Sequence, residues 1–139
     1  MSKYSIFKRA RQQKVNEFPM MFAFDNKQFE EGKAKLGVTD NKDLLSIGCG
    51  GFIRKSDKED FNNLFKKLDM ELAEELNDDE FLYDAFLYEI ANHEYIYSCD
   101  LTDSLEVLGL TVEQVRADNR MNSILNKAIK AYIEAAEYF

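Results

Sequence analysis

At 139 residues, 45% hydrophobic and 13% aromatic, the chain has the size and apolar content of one domain with one core. Its two cysteines, Cys49 and Cys99, stand far apart without a C-x-x-C, and with a single histidine, His93, they exclude a structural zinc set from one chain and read as reduced cytoplasmic thiols. A net charge of −8 weighs against direct nucleic-acid binding, and charges interrupt every apolar cluster short of the ~18 residues a membrane span needs.

The start of the chain carries Lys3, Lys8, Arg9, Arg11 and Lys14 without the apolar run of a secretory signal, so export is not expected. Residues 1–17 read as a basic helix ending before Pro19, because the residue preceding a proline is pushed out of helical geometry. Tyr4, Phe7 and Val15 are its few apolar anchors, which leaves docking and mobility both open. The apolar run 20–24, between Pro19 and Asp25, is too short for a helix and predicts a buried strand. Asp25 with Gln28 approximates a capping box, and Gly37 closes a helix near 26–36. Two short apolar runs within 44–55 flank Gly48, Cys49, Gly50 and Gly51, a hairpin pattern.

Ser56 and Glu59 form the next capping pair, ahead of Phe61, Leu64, Phe65, Leu68, Leu72 and Leu76 at helical spacing. Asn77, Asp78 and Asp79 end that helix, and a second runs over 80–97. Its Phe81, Ala85, Tyr88 and Ala91, beside Leu82, Phe86 and Ile90, make an apolar face broad enough for central burial. A short helix with Leu101, Leu105 and Leu108 stops at Gly109. Thr111 and Gln114 then cap the last amphipathic stretch, through Ile124, Leu125, Ala128, Ile129, Tyr132 and Ile133. The expected fold is α+β, mainly α: a single domain over 1–139, built as a bundle of five or six helices with a small two- or three-stranded sheet.

Several segments invite chemistry. The stretch from Leu45 to Phe52 is similar to the glycine loop of Rossmann-type methyltransferases, but Phe52 stands where a third glycine belongs and the chain continues as a strand, so a turn with positive φ is favoured. Cys49, near Arg54 and Lys55, is a candidate nucleophile of a small enzyme or ligand-binding domain, with His93 as its base. Glu89 and His93, four apart on one helix, make half a metal site that a single histidine cannot complete; no metal or other cofactor is expected. Leu105 to Val115 is similar to a helix-turn-helix, yet over Thr111 to Arg120, which would read DNA, Glu113 and Asp118 accompany only Arg116 and Arg120, which makes a weak DNA reader.

Charge segregation is the most distinctive property. Between Leu68 and Val115 there are fourteen acidic residues and no lysine or arginine. Such a field repels nucleic acid and attracts a basic protein surface, most simply one that normally holds nucleic acid. Asp69, Glu71, Glu74, Glu75, Asp78, Asp79, Glu80, Asp84, Asp103 and Glu106 are therefore the candidate partner-binding residues of a non-enzymatic protein. Simple solvation of the helices is the plain alternative.

Four segments carry a resemblance: Phe18-Pro19 with Phe22-Ala23-Phe24; Gln28 to Gly32 with Lys35-Leu36-Gly37; Gly50 to Lys55; and Phe86 to Glu89 with Asn92 to Tyr95. Together they resemble an uncharacterised family of small proteins from Gram-positive bacteria and their phages and mobile elements. The resemblance implies a setting and no site residues. In that setting, inhibition of a host nucleic-acid-handling enzyme, such as a CRISPR effector, is the expectation by analogy.

Overall fold

The computed structural model describes residues 2–136. It is mainly α with a small sheet, as expected. In chain order the elements are α1 (Lys3–Asn16), β1 (Met21–Phe22), α2 (Asn26–Lys35), β2 (Leu44–Gly48), β3 (Gly51–Arg54), α3 (Lys58–Glu75), α4 (Asp79–Asn92), α5 (Tyr95–Ser98), α6 (Thr102–Glu106), α7 (Val112–Ala117) and α8 (Asn119–Ala136). The strands form one antiparallel sheet in the order β1-β3-β2, with Met21 opposite Phe52 and Leu45 opposite Ile53.

Local chemistry explains most boundaries. Asp25 accepts from the Gln28 backbone N–H at 2.8 Å and starts α2, and Thr111 and Gln114 form a complete reciprocal capping box at α7. Asp78 caps α4 by accepting from the Glu80 N–H, so the break in the Asn77–Asp79 region is also the next helix's start. The β2–β3 turn places Gly48, Cys49 and Gly50 at positive φ, which glycine adopts without strain and cysteine does not. Ser56 makes no cap; it sits in a 3-10 turn over Lys55–Asp57 that leads directly into α3.

The described residues hold eight α-helices, more than the five or six expected, because the later stretches are subdivided. The helix expected over 80–97 breaks where Glu94 turns left-handed (φ 52), leaving α5 as a separate turn. Asp118 is extended and caps α8 by accepting from the Met121 N–H at 2.9 Å, which separates α7 from α8.

The chain forms two compact units. One runs from Arg11 to Leu68; the other joins the described residues up to Ala10 with those from Asp69 onward. We call them the sheet unit and the acidic unit. The acidic unit holds a continuous apolar core of Phe81, Leu82, Ala85, Phe86, Ile90, Leu105, Val115, Leu125 and Ala128, each at most 1% exposed. Tyr4 of α1 joins that core, its ring edge-on to Phe81 (5.6 Å between centroids) and to Tyr88 (5.5 Å), and Phe7 packs on Phe81 at 5.4 Å. In the sheet unit, Ile53 and Leu68 are buried, and ring pairs Phe18–Phe61, Phe61–Phe65 and Phe29–Phe52 pack at its half-buried margins.

Candidate functional site

The two units differ sharply in charge. Residues 11–68 carry 11 Lys/Arg against 9 Asp/Glu, a net +2, whereas residues 1–10 and 69–139 carry 7 against 17, a net −10. The ten acidic candidates all belong to the acidic unit but divide into distinct groups. Asp78 and Glu80 both hold Lys3, at 3.1 and 3.2 Å. The Asp78 carboxyl is lowered from its ordinary pKa, first by the hydrogen bond from Lys3 and then by the Glu80 backbone N–H; Lys3 is raised in return by Asp78 and then Glu80. Asp79 accepts from the Arg120 guanidinium, which also donates to the Leu76 carbonyl at 2.9 Å. These three carboxylates tie the start of α4 to α1 and α8.

The remaining candidates differ in exposure and position. Glu74, Glu75 and Asp103 are exposed, and Glu71 and Asp84 are half-buried. Asp69 and Glu106 are brought together, although 37 positions separate them in the chain: both line a groove of about 540 Å³ between the C-terminal half of α3 and the turn after α6. Leu72, Leu76 and Leu108, each at most 6% exposed, form its floor. Ala73, Val107, Leu110 and Met121 complete its apolar walls, and Asn77 adds an amide. Residues at i, i+3, i+4 and i+7 share a helix face, which is why α3 offers Asp69, Leu72 and Ala73 together with Leu76, the residue just past its end, whose N–H still donates to the Leu72 carbonyl.

A second, smaller groove of about 330 Å³ shares Glu106 and Leu110 with the first and adds Thr102, Thr111, Val112 and Glu113. Every charged side chain lining the two grooves is a carboxylate: Asp69, Glu106 or Glu113. The arrangement is an aliphatic trough with an acidic rim. It can seat apolar side chains and pair cations beside them.

The other sequence candidates are positioned differently. Cys49 is exposed at the glycine turn of the sheet unit, whereas His93 is the C-cap of α4 in the acidic unit. The His93 Nδ1 lies 2.8 Å from the Glu89 carbonyl, so the ring is engaged with its own helix. Two glycines of the turn serve packing: a Cβ on Gly50 would meet the Phe24 ring at 2.6 Å, and one on Gly51 would meet Ile47 at 2.8 Å, whereas Gly48, at φ +89, faces open space. Among the described residues, no group of three or more His, Cys, Asp or Glu could hold a metal ion, and no helix is long and apolar enough to cross a membrane.

The helix-turn-helix segment also uses its cations internally. Arg116 donates to Asn122 and Asn126 at 2.7 Å each, and Arg120 is held by Asp79. Val115 is fully buried, and α7 is only six residues long.

A buried polar cluster escaped the sequence reading. Glu89, fully buried, accepts through Oε1 from the Tyr4 hydroxyl at 2.6 Å and from the Lys8 ammonium at 2.8 Å. Lys8 also lies 4.6 Å from the centre of the Tyr88 ring. The second oxygen, Oε2, has no hydrogen-bond partner and lies 3.5 Å from the His93 Nδ1. Ser104 donates to the Glu89 carbonyl at 3.2 Å. Helical spacing could have paired Glu89 with His93, but nothing in the sequence links Glu89 to Tyr4 and Lys8, which come from the opposite end of the chain.

Comparison with curated proteins gives no match, and comparison with solved structures gives none either. One family model matches residues 3–131, nearly the whole chain, and its description gives no function. The chain therefore belongs to DUF7659, a family of unknown function.

Proposed function

We propose that the protein is a non-enzymatic, acidic binding protein that engages a basic surface of a partner through its acidic unit. The partner we propose is a nucleic-acid-handling enzyme, inhibited by mimicry of a phosphate backbone, as by an anti-CRISPR protein of a phage or mobile element acting in the cytoplasm. The observation that carries the reading is the net −10 concentrated in one unit, together with two adjoining grooves whose charged lining is wholly carboxylate. A field of that sign raises the local concentration of a cationic partner and excludes nucleic acid itself.

Affinity capture with the protein as bait in a Gram-positive bacterial lysate, at low and high salt, tests the reading. The reversed variant carries Glu74→Lys, Glu75→Lys, Glu106→Lys and Glu113→Lys, which spares the carboxylates already bound to Lys3 and Arg120. Support is a nucleic-acid-binding enzyme retained by the wild type alone, released at high salt and displaced by duplex DNA. The same proteins retained by both baits at both salts would remove the proposal.

A further inference from the structure

We infer that the acidic-rimmed trough receives one amphipathic helix of the partner, with aliphatic side chains seated on Leu72, Leu76 and Leu108 and with lysines or arginines set against Glu106 and Glu113. This rests on the binding reading above and adds the form of the partner's element.

Three properties of the trough lead to that occupant. A surface that only imitated phosphates would need carboxylates on polar ground, whereas here they frame leucine, valine and methionine side chains. The volume, about 540 Å³, lies within the roughly 300–1,000 Å³ of sites that enclose a ligand, and suits a few large aliphatic side chains. The walls are helix α3 and the turn after α6, where the Gly109 and Leu110 N–H groups already donate to the Glu106 and Leu105 carbonyls, so an extended peptide finds no strand edge to pair with. A helix brings its own backbone bonds and presents apolar residues three and four apart beside basic ones. Nucleic acid and anionic lipid are repelled by a lining whose only charges are negative. The basic helix α1 of a second copy is a poor occupant, because its Tyr4 and Phe7 are already packed on Phe81.

The chain has no tryptophan, so a tryptophan in a peptide reports its own surroundings. The probe is a synthetic helix of about 15 residues, leucine along one face, lysine elsewhere, and one tryptophan among the leucines. Its comparator has the same composition in an order that destroys the apolar face. The amphipathic peptide should bind with a blue shift of its emission and a gain in helicity, about tenfold more tightly than the scrambled one. Ala73→Phe, which fills the trough from an exposed position, and the pair Glu106→Lys/Glu113→Lys should each weaken it about tenfold, while Glu74→Lys/Glu75→Lys, outside the trough, should weaken it less. Equal binding of the two peptides, or equal weakening by both reversed pairs, would overturn the groove while leaving an acidic binding surface. No binding of either peptide at low salt would overturn both.

Discussion

In the acidic unit Tyr4, Phe81 and Phe86 are at most 2% exposed and share one continuous core, whereas in the sheet unit Phe22 and Phe24 stand 55% and 78% exposed beside a three-stranded sheet. The polar groups divide the other way. The acidic unit buries a carboxylate, Glu89, and uses Lys3 and Arg120 to hold acidic side chains near the start of α4, while in the sheet unit Arg54 pairs locally with Asp57, three residues on. The difference teaches that a unit with a deep core can tolerate a strongly one-signed surface. A burial of that size outweighs the self-repulsion of surface carboxylates, which water and salt screen. The sheet unit, with fewer buried side chains, keeps its charge near balance.

The contrast can be broken first at the core. Phe81→Ala removes the ring on which Tyr4 and Phe7 pack and should cost about 4 kcal/mol, whereas Phe24→Ala in the sheet unit should cost less than about 1 kcal/mol; urea unfolding of the two variants measures both. Next is the buried acid. Lys8→Met leaves Glu89 without its cation and should cost about 2 kcal/mol, less than for a fully enclosed pair because Lys8 is 35% exposed. The double variant Lys8→Met/Glu89→Met should lose less than Lys8→Met alone, since no charge is then left unpaired; a strictly additive cycle would contradict the cluster's role.

A smaller effect is expected at the glycine turn. Gly50→Ala places a side chain at φ +78 and against the Phe24 ring, and should cost about 1–2 kcal/mol. Adding Phe24→Ala should recover the steric part and leave the backbone part, which thermal melts of the single and double variants would resolve. The smallest effect concerns the Lys3–Asp78 pair, which is exposed to solvent. Asp78 is lowered from 3.8, so its contribution is present above about that pH and lost as pH falls through the folded value. Lys3 is raised from 10.5, so its contribution is complete below that pH and lost as pH rises through the folded value. The difference in melting temperature between wild type and Lys3→Ala should therefore be visible near neutrality and vanish in strong acid.

These outcomes bear on what the sequence made legible. Helix starts were readable where one side chain and a backbone N–H three residues on suffice, as at Asp25 and Thr111, and the hairpin was readable from its glycines. The burial of α4 followed from its broad apolar face, which includes Phe81, Leu82, Ala85, Phe86 and Ile90. Less was legible where distant segments meet. The Ser56–Glu59 pair matched a capping pattern but was overridden by a 3-10 turn at the end of β3. Asp69 and Glu106 were picked out by charge alone, and their shared groove with Leu72, Leu108 and Met121 arises only when α3, α6 and α8 pack. Glu113 stood outside the ten candidates although it lines the adjoining groove, because spacing does not reveal which carboxylates face the same hollow.

Backbone-amide NMR of the labelled protein, titrated with the basic amphipathic peptide at low salt, most directly separates the two units as binding surfaces. The account predicts shifts concentrated at Ala73, Val107, Gly109, Leu110 and Glu113, fading as salt is added. Shifts centred instead on Phe22, Ile47, Cys49 and Phe65, which line a separate, mostly apolar groove of about 400 Å³ in the sheet unit, would contradict it.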